Sequence, residues 1–287
     1  MTGLPPAVAG LCDDAAVFPP GLAPLTDAVR AYRDRAGAWY ADLVGPLVLS
    51  AAALPRLGPL LPADGPALPL SVTLPDGPAG LPDVLTAAAV LPVELRSVEV
   101  AVPEGMAIGE FLDRLAATRE DVIGVDVYVE VPRDLRRVAI LEALPGRYRA
   151  KFRTGGVRAD LHPDEAELAA AIAAVVGAGV PFKATAGLHH ALRNTDPHTG
   201  FEQHGFLNLL LATEALAHGG SEDDARALLA ERDGTTVAGL TRGLDAARVT
   251  RARAAFGSFG TCSITDPLTE LVDLGIVTAP AEEGAHA

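Results

Sequence analysis

Lysine is almost missing from this chain. Only Lys151 and Lys183 are lysines, against 21 arginines among the 23 lysine and arginine side chains. A nucleotide composition that favours arginine codons is one explanation of this usage. The other is chemical, because arginine keeps its charge at any working pH whereas a lysine can lose its proton and become a nucleophile. The two lysines are therefore the first candidates for a chemical role.

Cysteine is equally scarce, and long apolar runs are absent. Cys12 and Cys262 lie far apart in the sequence and have no metal-ligand spacing, which is typical of reduced thiols in a reducing compartment. The first residues lack the basic start and unbroken apolar run of a signal peptide. No later stretch reaches the roughly eighteen apolar residues of a membrane-spanning helix. We therefore expect a cytoplasmic protein without a membrane segment.

Concentrated positive charge is also missing. The formal net charge is -14 at pH 7, and no run of lysine or arginine interrupts the acidic background. Nucleic acids and anionic membrane surfaces both require a basic face on their partner, so both are excluded. The composition predicts a small-molecule substrate, and an anionic one would have to be held by local groups. It indicates no cofactor and leaves room for a homo-oligomer.

The chain does have a regular alternation of short apolar runs with segments of helical period, which is typical of β/α folds. The predicted strands cover residues 15–18, 46–50, 70–74, 97–102, 126–131, 149–154, 181–186 and 258–263. Such strands with helices between them predict a (β/α)8 TIM barrel, with a six-stranded doubly wound sheet as the alternative. We expect a single domain over 1–287, with two or three helices over 200–255 as an elaboration before the last strand and a disordered tail over 279–287.

Charged residues occupy one face of four successive predicted strands. Side chains alternate between the faces of a strand, so the face opposite the valines should point into the barrel. Unpaired charges in a core cost several kcal/mol each, and active sites of TIM barrels lie at the C-terminal ends of the strands. The pattern predicts an active site at those ends, with a purely structural ion-pair network as the alternative. The inward polar residues are Glu99, Glu130, Lys151, Arg153, Lys183 and Thr185.

The two lysines lie on neighbouring predicted strands, which run about 4.8 Å apart. Like charges at this spacing, together with burial, should depress the pKa of one lysine and leave a free amine that forms an imine with a carbonyl compound. Lys183 has apolar neighbours on its own strand, whereas Lys151 lies between Arg149 and Arg153. We therefore predict that Lys183 is the nucleophile, that Lys151 lowers its pKa, and that Glu130 or a loop histidine moves protons.

The stretch FKATAG, in which Lys183 is followed by a hydroxyl residue and then a glycine, resembles the Schiff-base lysine strand of class I aldolases of the deoxyribose-phosphate aldolase type. In that family a second lysine on a neighbouring strand tunes the first. The resemblance covers two strands and implies a TIM-barrel lyase that works through a lysine imine. By local motif Lys183 takes the position of the imine-forming lysine, whereas by strand count Lys151 does.

The loops that follow the predicted strands supply further polar groups. His189 and His190 are candidate proton carriers because histidine titrates near neutrality, and adjacent side chains point in different directions, so at most one should face the site. Glycine N–H groups, with an arginine as countercharge, could hold a phosphate or carboxylate. The predicted substrate-binding residues are Arg153, Thr154, Gly155, Gly156, Thr185, Arg193 and His204.

Three other residues are assigned structural roles. Asp13 and Asp14 precede the first predicted strand, at the end of the barrel that contributes stability, so a turn or helix-cap role is favoured. Cys262 ends the last predicted strand without an assigned base and is interpreted as a small buried filler.

The leading interpretation is a lyase or aldolase-type enzyme that acts on a small carbonyl metabolite without a metal. A second interpretation is a metal-dependent TIM-barrel enzyme, with a divalent ion held by His189 or His190 together with His204 and Glu130. A third is a non-catalytic barrel that binds a metabolite or a partner at its polar end and needs only the charge of the lysines.

Overall fold

Eight parallel strands close into a barrel in the computed structural model, which describes residues 4–62, 64–118 and 121–280. The sheet closes where the last strand pairs with the first, so the prediction of a (β/α)8 TIM barrel is confirmed and the doubly wound alternative is wrong. The strands are β1 (Cys12–Asp14), β2 (Val44–Ser50), β3 (Leu68–Leu74), β4 (Val93–Ala101), β5 (Asp126–Glu130), β6 (Arg149–Arg153), β7 (Phe182–Thr185) and β10 (Phe256–Thr261). A separate antiparallel pair, β8 (Asn194–Thr195) and β9 (Glu202–Gln203), forms a short hairpin after β7.

Helices connect most of the strands. They are α1 (Leu25–Arg35), α2 (Leu81–Val90), α3 (Ile108–Ala117), α4 (Arg137–Ala143), α5 (Glu165–Gly177), α6 (Phe206–Ala217), α7 (Glu222–Ala230), α8 (Gly234–Arg242), α9 (Ala246–Ala255) and α10 (Thr265–Asp273). Between β2 and β3 the chain forms 3-10 turns, Ala51–Arg56 and Gly58–Leu60, in place of an α-helix. None of the helices in the described ranges is both long and apolar enough to span a membrane.

Apolar side chains on the outer face of the barrel bind the helices to it. Val98 and Val100 of β4 and Val129 of β5 have no exposed surface, because they belong to the core between sheet and helices. The rings of Phe182 and Phe256 stack with their centroids 5.2 Å apart on neighbouring strands. The alternation that places these residues outward leaves the opposite, charged positions for the barrel interior.

The segment between β7 and β10 contains more helices than predicted. It forms four, α6 to α9, and the hairpin precedes them, whereas two or three helices were expected. The amide of Phe206 donates to the carbonyl of His190, so the segment begins against the loop that follows β7. From Phe206 to Glu214 every residue of α6 is buried, because α6 packs against β10, α5, α7, α8 and α9. Part of the predicted tail, residues 281–287, lies outside the described residues.

The first strand differs from its prediction. Residues 15–18 form a turn, and β1 is Cys12–Asp14, which pairs with Phe259, Gly260 and Thr261 of β10. Aspartate is uncommon in strands, so two consecutive aspartates indicated a turn. Both are almost fully buried, because each carboxylate has a basic partner. The structural role assigned to Asp13 and Asp14 before the first strand is therefore wrong in its placement.

Candidate functional site

A cluster of four buried charges lies on the barrel axis, and we call it the carboxylate–lysine cluster. It consists of Asp13 from β1, Glu99 from β4, Lys151 from β6 and Lys183 from β7. Glu99 forms ion pairs with both lysines. Lys183 Nζ is 2.5 Å from its Oε1, and Lys151 Nζ is 2.8 Å from its Oε2. Lys183 Nζ is also 2.5 Å from Asp13 Oδ2. The four strands are not all neighbours, so these contacts confirm that the side chains point into the barrel.

A second ion pair lies above the cluster, at the C-terminal ends of β5 and β6. Arg153 Nε is 2.9 Å from Glu130 Oε1, and Lys151 Nζ is 3.0 Å from Glu130 Oε2. Glu130 and Arg153 are the last residues of their strands. They therefore mark the end of the barrel that opens to solvent, which we call the mouth.

Exposure falls steadily from the mouth to the axis. The exposed fraction of the side chain is 38% for Arg153, 20% for Glu130, 6% for Lys151 and 2% for Lys183. Lys151 and Lys183 are directly paired in the register of β6 and β7, yet their surroundings differ. A molecule that comes through the mouth would meet Lys151 before Lys183.

Serine hydroxyls complete the hydrogen bonding of the buried carboxylates. Ser71 Oγ donates to Glu99 Oε1 at 2.8 Å and lies 2.7 Å from Ser97 Oγ, while Ser258 Oγ donates to Asp13 Oδ2 at 2.8 Å. Neither these serines nor the contact of Asp13 with Lys183 was predicted from the sequence. A usable signal was present, because Ser97 occupies the same face of its strand as Glu99 and a small hydroxyl residue is rare in the apolar filling of a barrel.

Both lysines are held as ammonium groups. Burial would lower the pKa of Lys183, but Asp13 and Glu99 outweigh it and raise that pKa well above its ordinary value. For Lys151, burial and the charge of Lys183 lower the pKa, whereas Glu99 and Glu130 raise it, and the result is again a raised pKa. The prediction that one lysine has a depressed pKa is therefore wrong for this state, because carboxylates on other strands separate the two cations.

Two carboxylates of the site, Glu99 and Glu130, are favoured in the ionised form by the basic groups beside them. Burial opposes the charge of Glu99, but Lys151 and Lys183 lower its pKa far below the ordinary value. Burial likewise opposes the charge of Glu130, and Lys151 with Arg153 lowers its pKa. Asp13 differs, because burial raises its pKa even though Lys183 acts to lower it.

The adjacent histidines His189 and His190 lie in two different environments. His189 Nδ1 is 3.6 Å from Cys262 Sγ, and burial lowers the pKa of this histidine. His190 Nδ1 is 2.6 Å from Glu270 Oε1 on α10, which raises the pKa of His190. The two side chains therefore point in different directions, as expected for adjacent residues. Cys262 is half-buried beside His189, so its description as a buried filler is only partly right.

Arg193 and His204 belong to a separate buried network. Arg193 Nη2 is 2.6 Å from Glu165 Oε1, and its Nη1 is 3.4 Å from His204 Nδ1. The other ring nitrogen of His204 is 2.9 Å from the carbonyl oxygen of Pro163. Burial, followed by the charge of Arg193, lowers the pKa of His204 to about 4, so this ring is neutral and donates from Nε2. The network joins the loops after β6 and β7 and does not contact the carboxylate–lysine cluster.

Glycines let the loops after β6 and β7 approach closely. A Cβ on Gly155 would lie 2.8 Å from Cα of Gly187, and Gly187 has a φ of +71°. Thr154 Oγ1 donates to the carbonyl of Ala186 at 2.6 Å, and Gly156 contacts His162. Thr185 ends β7 next to Arg153 in the register. Tight packing of the two loops therefore accounts for the residue types at 154–156.

The described ranges contain no group of three or more His, Cys, Asp or Glu side chains arranged to hold a metal ion. The metal interpretation required His189 or His190 together with His204 and Glu130. Those histidines have partners in three separate places, namely Cys262, Glu270 and Pro163.

Comparison of the chain with protein-family models, curated proteins and solved structures finds no match.

Proposed function

We propose that this TIM-barrel protein is an enzyme of the lyase or aldolase type, which acts on a small carbonyl compound through an imine on Lys151. The observation that carries the proposal is the position of Lys151. It lies between the half-buried Glu130–Arg153 pair and a second lysine that is almost completely buried. TIM barrels place their catalytic groups at this end of the strands.

The polarity of the barrel interior supports a chemical role over a purely structural one. Buried ion pairs are often no more stabilising than apolar residues of the same volume, and barrels are normally filled by branched apolar side chains. Here Asp13, Glu99, Lys151 and Lys183 occupy that space with serine partners. Stability alone would not favour this composition.

The route to a free amine follows from the contacts of Lys151. Glu99 and Glu130 raise its pKa, while burial and Lys183 lower it. Glu130 is the partner nearest the mouth, so an incoming carbonyl compound can displace it or leave it to accept the proton. Loss of that contact leaves only Glu99 to oppose burial and the charge of Lys183, so the pKa of Lys151 falls and the neutral amine becomes more accessible.

The covalent step is then ordinary imine chemistry. An ammonium proton of Lys151 first goes to the carboxylate of Glu130, and the free Nζ then attacks the carbonyl carbon. A second proton moves from Nζ to the former carbonyl oxygen, which gives a neutral carbinolamine. The carbinolamine loses its hydroxyl group as water when Glu130 returns the first proton, and a protonated imine remains. His189, which burial keeps neutral, is the second candidate for proton transfer at the mouth.

This assignment exchanges the roles predicted from the sequence. Lys183 was expected to be the nucleophile because its own strand places few charges near it. That premise is wrong, since its ammonium group contacts Asp13 and Glu99 at 2.5 Å. The choice of nucleophile remains a proposal, and accessibility favours Lys151.

Reductive trapping tests the proposal. The full-length protein is incubated with a panel of aldehydes, ketones and keto acids, treated with cyanoborohydride, digested and examined by mass spectrometry. We expect a stable adduct on Lys151 with at least one compound and none on Lys183. An adduct on Lys183 would restore the assignment made from the sequence. Absence of any adduct across the panel would favour the structural ion-pair network.

A further inference from the structure

A cavity opens at the opposite end of the barrel from the mouth. Its volume is about 400 Å³, and it lies where β5, β6 and β7 begin. Asp126 and Arg149, the first residues of β5 and β6, line it. Its lining reaches Arg149, two residues before Lys151 on β6, but does not include Lys151, and the cavity takes no part in the proposed reaction.

The walls of this cavity are of two kinds. Apolar walls come from Val125, Val127, Val180 and Pro181, and charged groups come from Arg147, Arg149 and Asp126. A cavity of this size with apolar walls and a few convergent polar groups is the usual form of a small-molecule site.

The two arginines differ in their partners. Arg149 Nη2 is 2.8 Å from Asp126 Oδ1, and its guanidinium carbon lies 5.8 Å from the centre of the Tyr128 ring. Both contacts hold Arg149 in place before any ligand arrives. Arg147 has no ion-pair partner within the part of the chain that the structure describes. The cavity therefore carries one basic group whose charge is not compensated.

We propose that this cavity binds a small monocarboxylate with a short branched apolar body. A guanidinium group matches the geometry of a carboxylate, and the exposed guanidinium of Arg147 has no ion-pair partner among the described residues. The valine and proline walls suit a branched hydrocarbon and would not stabilise a highly hydroxylated one. The site is independent of the imine chemistry proposed for Lys151.

Ligand-observed NMR titration of the full-length protein with 3-methylbutanoate tests this site. Its uncharged amide, 3-methylbutanamide, has the same shape and serves as the matched ligand. We expect the carboxylate to bind with a Kd of about 1 mM, as befits so small a molecule, and the amide at least about tenfold more weakly. Arg147→Gln and Arg149→Gln should each weaken binding of the carboxylate by at least about tenfold.

The control variants separate this cavity from other basic sites. Arg96→Gln removes an exposed arginine of β4 that pairs with Glu94 outside the cavity, and it should leave the titration unchanged. Lys151→Arg should also leave it unchanged, which distinguishes failure of this site from failure of the imine proposal. Arg147 is exposed, so its replacement should not impair folding, and thermal unfolding of each variant verifies this.

Three results would overturn the proposal. The first is equal binding of the amide and the carboxylate, since the charge would then contribute nothing. The second is an unchanged Kd in Arg147→Gln. The third is no saturable binding of 3-methylbutanoate up to about 50 mM, well above the expected range.

Discussion

Lys151 and Lys183 lie at the same height on neighbouring strands, yet they occupy different environments. Lys151 contacts one carboxylate on the axis and one at the mouth, whereas both carboxylate partners of Lys183 are buried. Lys183 also lies 5.3 Å from the centre of the Tyr128 ring, which closes the barrel beneath it. The partners on other strands, and not the neighbours on the same strand, decide which lysine can lose its proton and meet a substrate.

The largest expected difference between the lysines is in reductive trapping. Lys151→Arg should be trapped at least about 100-fold more slowly than the wild type, because arginine cannot supply a free amine. Lys183→Arg keeps a positive charge beside Lys151, and its trapping should slow by less than about tenfold. Quantitative mass spectrometry of the adduct with one trapped compound measures both rates. An equal loss of trapping rate in the two variants would contradict the assignment of Lys151 as the nucleophile.

The free energy of unfolding should depend more on Lys183 than on Lys151, the reverse of the order expected for trapping. Lys183→Met leaves Asp13 and Glu99 without a shared cation in the barrel, and it should lower the free energy of unfolding by about 3–5 kcal/mol. Lys151→Met should lower it by about 1–3 kcal/mol, because Glu130 keeps Arg153 and reaches solvent. Urea unfolding followed by circular dichroism measures both. Arg30→Met, at an exposed site on α1, is the control and should change little.

The carboxylate of Glu99, which contacts both lysines, predicts a specific dependence of stability on pH. The pKa of Glu99 is lowered on folding from its ordinary value of 4.5, so its contribution is present above that value and is lost as the pH falls toward the folded pKa. Wild type and Glu99→Gln should therefore differ most at neutral pH, and the difference should narrow below about pH 4.5. Urea unfolding at several pH values tests this. A constant difference would mean that the ionised form of Glu99 contributes nothing.

The smallest expected effect concerns the group at the mouth. Glu130 raises the pKa of Lys151, so Glu130→Gln should move the acid limb of the pH–rate profile for trapping by about one unit toward lower pH. The maximal trapping rate of Glu130→Gln should also fall if Glu130 accepts the proton of Lys151. The matched control is Glu110→Gln, which removes an exposed carboxylate paired with Arg114 on α3. A profile that does not move would exclude Glu130 as a partner that controls Lys151.

Local sequence patterns were sufficient to predict most of the strands of the barrel. The predicted strands after the first overlap the observed ones, because valine-rich alternation and the glycine and proline residues that bound it are short-range signals. The cap of α5 is also a local feature, since Asp164 accepts from the amide of Glu167, three residues later, at 2.8 Å. The first strand was missed because Asp13 and Asp14 are strand residues only by virtue of basic partners distant in the sequence.

By itself the sequence determined the alternation of strands and helices and the shared face of Glu99, Glu130, Lys151 and Lys183, because both follow from local periodicity. Only the tertiary structure decided which charges meet. The contact of Asp13 with Lys183 joins residues that are 170 positions apart, and closure of the barrel through β10 creates it. Local periodicity carries no information about such pairs, and these pairs set both the protonation of the lysines and their accessibility from the mouth.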